Sequence, residues 1–277
     1  MAATPAVPIR YVAIGDSFTE GVGDELPDGY TRGWADLVAQ GWANAQGSSV
    51  EYANLAIRGK LVWPIVEEQL EAALALRPTH LSFNGGGNDM LRPRTRIEHI
   101  ADAFTHVLKR CDEEGVRLIL LSGANPSLQL PMGRLINRRG DDLSVAVLRR
   151  IEGRDDVVRA LNWHDPDLAG PSFWSLDRLH MNDRGHHRVA ARVLEALGAD
   201  QSLTLAHRHA DVAATEPAAV ELPAQGRRER GRRDRRAGGA DTGLDLVELL
   251  AVYHRQCRHG APSSRSTDSE HGSGNRS

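Results

Sequence analysis

Residues 9–21 read IRYVAIGDSFTEG and decide how the rest of the chain is interpreted, because an apolar run ends there in a glycine and a serine. The run Ile9–Ile14 has the length and composition of a strand that is buried on both faces. Gly15 permits a tight turn after this strand, and Ser17 can then present its hydroxyl beyond the strand end. A turn that Asp16 and Ser17 merely cap is the simpler alternative.

Short apolar runs alternate with segments of helical period from this stretch to about residue 197. The alternation predicts parallel strands joined by right-handed crossovers, with helices on both faces of one sheet. The fold class is therefore α/β, a three-layer α/β/α arrangement around a doubly wound, five-stranded parallel sheet. Ligands of such sheets bind beyond the carboxyl ends of the strands. Further strands are predicted over Val50–Ala56, Thr79–Phe83, Val116–Ser122 and Val157–Leu161, and helices over Trp34–Ala45, Leu61–Leu76, Thr95–Glu114, Arg138–Glu152 and Asp183–Leu197, with Asp183 as the last N-cap.

The overall composition is that of a soluble globular protein. The 277 residues are 40% hydrophobic and 26% charged with a net charge of −3, so nothing general favours a nucleic-acid partner. Cys111 and Cys257 are too far apart for a Cys-x-x-Cys motif, and we expect two free thiols. No run approaches the ~18 apolar residues that span a bilayer, and the N-terminus lacks the pattern of a secretory signal. We therefore expect a cytoplasmic protein with no membrane partner.

The chain changes character after about residue 202. Residues 203–277 contain the run GRRERGRRDRR at 226–236 and end in a polar stretch rich in serine. Such a composition does not offset the entropy cost of ordering. The sequence therefore predicts a globular domain over 1–202 and a disordered, low-complexity Arg/Gly/Ser-rich tail over 203–277. Binding of RNA or of an acidic surface by the basic run is an alternative for the tail, and so is translation from a shifted reading frame.

Three more segments place polar groups beyond predicted strands or before the last helix. Gly59 follows the second strand, where a glycine lets a backbone N–H approach a ligand closely. The third strand runs into NGGGND at 84–89, in which the Asn88 amide can donate to a developing oxyanion. Asp177 and His180 are three residues apart, which lets a carboxylate orient an imidazole on a helical turn. Each has a structural alternative, namely loop geometry, a turn asparagine or a histidine that caps a turn.

Together these groups form the parts of an acyl-transfer site, because a serine, oxyanion donors, a base and an orienting carboxylate all fall where this fold places ligands. Among the 12 histidines, His164 follows the fifth strand and is the best competitor for the role of base. His186 and His187 occupy helical positions and are predicted to be packing or surface residues. Trp63, close to Gly59, is a candidate either for an acyl pocket or for packing.

The ordered set of segments resembles the four sequence blocks of the SGNH, or GDSL-type, esterase/lipase family. The blocks are Gly15-Asp16-Ser17, Gly59, Gly87-Asn88-Asp89 and Asp177-x-x-His180. The resemblance covers about residues 9–197, so the domain over 1–202 is identified as an SGNH-hydrolase-like catalytic domain. Two features depart from the family. Phe18 stands where the family name has leucine, and Gln129–Asp142 matches nothing in the pattern.

The resemblance implies a flavodoxin-like fold and ester hydrolysis through an acyl-serine, with no cofactor and no metal. It implies that Ser17 is the nucleophile, that His180 is the general base and then acid, and that Asp177 is the partner of His180. The oxyanion hole would be formed by the Ser17 N–H, the Gly59 N–H and the Asn88 side chain.

The implied substrate is a small-molecule carboxylic ester, and short-chain acyl or acetyl esters are favoured because no export signal points to bulk lipid or polysaccharide. Lysophospholipase or thioesterase activity within the same family is an alternative. A metal-dependent phosphoesterase with Asp16, Asn88, Asp89 and His180 around a cation is another. A flavodoxin-like binding module without catalysis belongs to a different class, and no Walker-type or G-x-G-x-x-G motif supports it.

Overall fold

A single parallel sheet organises the chain. The structure, a computed structural model, describes residues 8–199, so the predicted tail over 203–277, the domain boundary at 202 and Cys257 lie outside the described residues. The sheet has the strand order β2-β1-β3-β4-β5, and every neighbouring pair is parallel. The predicted five-stranded parallel sheet is confirmed. The strands are β1 Ile9–Ile14, β2 Val50–Asn54, β3 His80–Phe83, β4 Arg117–Ser122 and β5 Val158–Leu161.

Helices connect the strands and cover both faces of the sheet, which gives the three predicted layers. No helix within residues 8–199 combines the length and apolar character needed to cross a bilayer. The helices are α1 Ser17–Glu20, α2 Trp34–Gln46, α3 Val62–Ile65, α4 Glu71–Ala75, α5 Gly87–Met90, α6 Ile97–Glu114, α7 Gly133–Arg150 and α8 Asp183–Ala196, and a π-helical segment, Val66–Leu70, joins α3 to α4.

The two apolar cores lie on opposite faces of the sheet. Along β1, Val12 and Ile14 pack with residues from α3 through α7, whereas Tyr11 and Ala13 pack with α2 and α8. This alternation follows from the two-residue period of a strand, which sends neighbouring side chains to opposite faces. All four side chains are buried, as the continuous apolar run predicts for a central parallel strand.

The strand order creates a crevice between β1 and β3. After β1 the chain moves outward to β2, and it then returns to the other side of β1 to form β3. The connections therefore leave in opposite directions from this pair, which opens a binding crevice at the carboxyl ends of the two strands. Ser17 follows β1 and Asn88 follows β3, so both predicted site residues lie at this edge.

One predicted helix start and one predicted N-cap were wrong. The helix predicted over Arg138–Glu152 begins at Gly133, although glycine is a poor helix former and weakens the sequence signal. A Cβ at Gly133 would lie 2.0 Å from the Ser127 carbonyl oxygen, so close packing requires the glycine there. Asn182, and not the predicted Asp183, caps α8, because its side chain accepts a hydrogen bond from the Gly185 N–H.

Candidate active site

Ser17 stands at the first position of a short helix that the sequence did not predict. Asp16 caps α1, and its Oδ1 accepts a hydrogen bond from the Phe18 N–H at 3.1 Å. The helix ends at Gly21, whose φ of 99° is left-handed, and a Cβ there would lie 1.7 Å from the Arg32 carbonyl oxygen. The capping role considered for Asp16 is thus present. It coexists with a serine that faces the crevice.

A buried glutamine holds the backbone just before Ser17. The Gln69 Oε1 accepts from the Gly15 N–H at 2.9 Å, and its Nε2 donates to the Gly15 carbonyl at 3.0 Å. Gln69 lies in the π-helical segment and is 2% exposed. Both polar groups of a buried side chain are therefore satisfied by the turn that presents the serine. Sequence analysis missed Gln69, because a glutamine within an amphipathic helix carries no positional signal.

Asp177 and His180 are brought together by a turn, not by the helical turn that their spacing suggested. The Asp177 Oδ1 accepts from the backbone N–H groups of Leu179 and His180, both at 3.0 Å. Arg178 between them has a φ of 59°, which closes the turn. The second carboxylate oxygen, Oδ2, lies 2.6 Å from the His180 Nδ1.

The protonation state of this pair follows from its contacts. Burial raises the pKa of Asp177, but hydrogen bonds from the His180 side chain and from backbone N–H groups outweigh it and bring the pKa to about 2. An ionised carboxylate only accepts hydrogen bonds, so the His180 Nδ1 carries the proton that it donates. The lone pair of Nε2 is then left to accept from the Ser17 hydroxyl, whose Oγ lies 3.2 Å away.

The turn that carries His180 is anchored on both sides. The Ser175 N–H donates to the His180 carbonyl at 2.8 Å. The Asn182 Nδ2 donates to the Ser172 carbonyl at 2.9 Å and to the Trp174 carbonyl at 3.2 Å. These bonds join the segment before Asp177 to the start of α8. They fix the position of the turn that carries His180, although this turn belongs to no helix or strand.

Asn88 links the loops that follow β2 and β3. Its Nδ2 donates to the Lys60 carbonyl at 2.9 Å and faces the Asp16 Oδ2 at the longer distance of 3.4 Å. A 3.4 Å hydrogen bond is weak, so this second N–H can turn to a stronger acceptor at low cost. The Arg58 Nε donates to the Glu20 carboxylate at 2.8 Å. Arg58 and Lys60 thereby hold the exposed Gly59, with its φ of 77°, between α1 and α5.

Two buried carboxyl groups, those of Asp16 and Asp89, adjoin Asn88. Burial raises the pKa of Asp16 to about 6 and raises the pKa of Asp89 as well. The Asp89 Oδ2 accepts from the Val62 N–H at 2.9 Å, which fixes the start of α3. Both groups thus accept hydrogen bonds from backbone donors. Among residues 8–199 no three His, Cys, Asp or Glu side chains are grouped as ligands for a metal ion.

The site opens into a pocket with about 100 Å³ available to the centres of water molecules. Ser17, His180 and Asn88 supply its polar groups, together with Asp16 and Asn84. The remaining walls are mainly apolar and come from several loops. They include Phe18, Val22, Met90, Leu91, Pro126, Trp163, Trp174, Leu179 and Met181. Such a pocket suits an uncharged organic group next to a polar reacting centre.

Four other residues considered in the sequence do not line the pocket. The His164 Nε2 lies 3.1 Å from the Asp141 carboxylate, and the imidazole is mostly exposed. Trp63 does not line the pocket, because its Nε1 donates to the His99 carbonyl and its ring lies against α6. His186 is buried and His187 is on the surface, in agreement with the packing and surface roles predicted for them.

Comparisons with known proteins point to one family. The sequence profile of the GDSL-like Lipase/Acylhydrolase family matches residues 13–188, which is more than half of the chain. A search of curated proteins finds no match. Among solved structures, the lipase Lip_vut3 from a goat rumen metagenome is 17% identical, with a TM-score of 0.57 over 68% of this chain and 97% of that chain.

Two further structures have the same fold. A catalytic mutant of Axe2, an acetylxylan esterase from Geobacillus stearothermophilus, is 16% identical with a TM-score of 0.59 over 69% of this chain and 96% of that chain. The psychrotrophic esterase EstA from Pseudoalteromonas sp. is 19% identical with a TM-score of 0.54 over 68% and 96%. At these identities the structures show the fold, whereas the family profile covers every segment of the site from Ser17 to His180. The chain therefore belongs to the GDSL-like lipase/acylhydrolase family and is a carboxylic ester hydrolase.

Proposed function

We propose that the chain hydrolyses small-molecule carboxylic esters through an acyl-serine intermediate on Ser17. One observation carries the proposal, namely the chain of hydrogen bonds from the Ser17 Oγ to the His180 Nε2 at 3.2 Å and from the His180 Nδ1 to the Asp177 Oδ2 at 2.6 Å. A nucleophile, a base and an orienting carboxylate in this order are the elements of serine-dependent acyl transfer.

In the first half-reaction His180 takes the hydroxyl proton as the Ser17 oxygen attacks the ester carbonyl. The imidazolium that forms is stabilised by the ionised Asp177. It then gives its proton to the leaving alcohol, and the acyl group remains bonded to the Ser17 Oγ. In the second half-reaction His180 removes a proton from water, which attacks the acyl-serine, and the proton returns to the Ser17 oxygen as the acid leaves.

Negative charge on the carbonyl oxygen is stabilised by three donors, the N–H groups of Ser17 and Gly59 and the Asn88 side chain. The long contact between Asn88 and Asp16 supports this role, because the amide N–H at 3.4 Å is exchanged for a bond to a developing oxyanion. Loss of one such donor costs ~2.7–4 kcal/mol in a comparable serine hydrolase.

Replacement of the nucleophile tests the proposal directly. Ser17→Ala is expected to lower kcat by about 10⁶-fold, measured with nitrophenyl esters. Ser172→Ala is the control, because Ser172 is an exposed serine that does not line the pocket, and it should leave kcat unchanged. A fluorophosphonate should label the wild-type chain and not Ser17→Ala. Ser17→Ala activity within tenfold of wild type overturns the proposal.

The metal-dependent alternative is separated by the same assay. If Ser17 is the nucleophile, wild-type activity should survive excess chelator. A phosphoesterase that uses Asp16 and Asp89 around a cation would instead lose its activity with chelator and keep it in Ser17→Ala. Esters of short-chain and acetyl acids remain the sequence-based prediction for the acyl group, and lysophospholipids and thioesters are tested in the same substrate panel.

A further inference from the structure

A second cavity lies beside the active-site pocket, between β4, α6 and α7. About 60 Å³ of it is available to the centres of water molecules. Its walls are formed mainly by apolar side chains such as Phe104, Leu120, Leu143 and Val147. A cavity of this character gains little from water and favours an apolar occupant.

Asn84 and Ser122, two of the polar side chains on these walls, already have partners. The Asn84 Nδ2 donates to the Leu121 carbonyl at 3.1 Å. The Ser122 Oγ accepts from the Trp163 N–H at 2.9 Å. These side chains consequently do not create a polar binding site, and the cavity presents hydrocarbon to whatever enters it.

The cavity adjoins the catalytic pocket, because Asn84, Gly87, Met90 and Trp163 line both. Gly87 directly precedes Asn88, and a Cβ built on Gly87 would meet no atom within 4 Å. Met90 is unbranched and adaptable, so its side chain can move aside for a chain that passes the oxyanion region. A group attached to a carbonyl at Ser17 would therefore reach the cavity past Gly87 once the Met90 side chain moves aside.

Trp163 forms a rigid wall between the two spaces. Its Nε1 donates to the Asp141 carboxylate at 2.9 Å. A Cβ at Gly140 would lie 1.8 Å from the ring, so the indole packs directly against the backbone of α7. The dividing wall is thereby held in place, and the cavity has a defined shape before any substrate binds.

We propose that this cavity receives the end of the substrate acyl chain, so that the preferred substrates are esters of medium-chain acids with about six to ten carbons. A volume of 60 Å³ accommodates about four to six water-sized groups, and the carbons next to the carbonyl occupy the catalytic pocket. The inference rests on the proposed function, and it favours a longer acyl group than the short-chain or acetyl group predicted from the sequence.

Two neighbouring residues of α7 provide a matched pair of variants. Ser144 lines the cavity, whereas Val145 is exposed and does not line it. In wild type, kcat/KM should be at least about tenfold higher for nitrophenyl octanoate than for nitrophenyl acetate, because several methylene groups enter the cavity. Ser144→Phe fills the cavity and should lower this octanoate-to-acetate ratio by about tenfold or more. Val145→Phe adds the same ring outside and should leave the ratio unchanged.

A second variant covers the case in which Ser144→Phe does not fold. Gly123 lines the cavity but not the catalytic pocket, and a Cβ there would meet no atom within 4 Å. Its φ is not in the left-handed region, so Gly123→Leu is free of backbone strain. This variant should lower the octanoate-to-acetate ratio in the same direction.

Binding of the octanoate anion to Ser17→Ala, measured by calorimetry, separates the cavity from the chemistry. We expect octanoate to bind more tightly than acetate and the added Ser144→Phe change to abolish the difference. The inference is overturned if wild type prefers acetate, or if Ser144→Phe and Val145→Phe have the same chain-length profile. If no ester is hydrolysed, the proposed function fails, while octanoate binding that Ser144→Phe blocks still supports the cavity as a chain-binding site.

Discussion

His180 and His186 are close in sequence and belong to the same end of the fold, yet their surroundings are opposite. The His180 imidazole lies between the Asp177 carboxylate and the Ser17 hydroxyl, at the edge of a pocket. His186 is fully buried, and its Nδ1 accepts from the Trp34 N–H at 3.2 Å. The other nitrogen of His186 therefore carries the proton, which it donates to the Val22 carbonyl at 3.2 Å.

The partner atoms explain why only one of these histidines suits acid-base chemistry. A carboxylate next to the Nδ1 of His180 can stabilise an imidazolium that forms when Nε2 takes a proton from Ser17. Protonation of His186 at Nδ1 would break its bond with the Trp34 N–H and would place a charge in the core. Burial accordingly lowers the pKa of His186. The role of a histidine in this protein follows from its partners and burial.

The largest expected effect is loss of the base. His180→Ala should lower kcat by about 10⁶-fold, because Ser17 then has no proton acceptor. His187→Ala, on the surface of α8, should leave kcat unchanged and serves as the control. Steady-state kinetics with a nitrophenyl ester measure both variants. A His180→Ala enzyme that retains most of its activity would show that another group, such as His164, acts as the base.

Removal of the orienting carboxylate should have the second largest effect. Asp177→Asn keeps the shape of the side chain but removes its charge, and kcat is expected to fall by about 10⁴-fold, as in another serine hydrolase. The Asp177 pKa of about 2 means that this carboxylate is ionised throughout the usual assay range. Any fall in wild-type kcat toward the acid side of the range from pH 5 to 8 should therefore not arise from protonation of Asp177. A loss below tenfold in Asp177→Asn would contradict its role.

The third prediction concerns the free energy of unfolding and its dependence on pH. The His186 pKa is lower in the folded state than the unfolded value of about 6.5, so the unfolded chain binds a proton that the folded chain does not. The contribution of His186 to stability is present at higher pH and is lost as the pH falls below about 6.5. Between pH 7.5 and 5.5 this loss can reach at most about 1.4 kcal/mol, the limit for a histidine that stays neutral in the folded chain.

Urea unfolding of wild type and His186→Gln at both pH values isolates the contribution of His186 to the free energy of unfolding. His80 also has a pKa lowered by burial, to about 4, and it remains in both proteins, so only the difference between them is diagnostic. His187→Gln is the matched surface control and should keep the wild-type dependence on pH. Equal dependence in wild type and His186→Gln would show that burial of His186 does not control the stability in this range.

The smallest predicted effect distinguishes the two residues that compete for the N-cap of α8. Asn182→Ala should lower the free energy of unfolding by about 1 kcal/mol, because the Gly185 N–H loses its acceptor. Asp183→Ala should change it by less than about 0.5 kcal/mol, because its side chain does not cap the helix. Thermal or urea unfolding measures both. If Asp183→Ala were the more destabilising variant, Asp183 would be the N-cap, as predicted from the sequence.

Much of the fold was predictable because buried parallel strands leave a strong local signal. The run Ile9–Ile14 coincides with β1, and the glycines at 47 and 115 end helices in the left-handed conformation expected for a C-cap. The start of α7 was not predictable, because Gly133 and Gly140 lower the helix propensity of this segment. Glycine is needed at these positions because the backbone packs closely against Ser127 and Trp163. Both partners lie outside the helix, so neither contact leaves a mark on its periodicity.

The site was predictable in its residue types but not in its supports. Ser17, Asn88, Asp177 and His180 follow strands or precede the last helix. The structure brings Ser17, Asn88 and His180 to one pocket, with Asp177 hydrogen-bonded to His180. Their catalytic roles remain predictions until the variants are measured. Gln69, which holds Gly15 by two hydrogen bonds, could not be recognised, because the 54 residues that separate them give no local pattern.

The sequence by itself determined the fold class, the family and the residue types of the site, because these depend on local periodicity and on short motifs. Only the tertiary structure decided how close His180 lies to Ser17, which residue caps α8 and where the apolar cavity lies beside Trp163. These features depend on contacts between segments that are far apart in sequence. Distances, burial and hydrogen-bond geometry are set only when separate segments pack together, so they cannot be read from the sequence residue by residue.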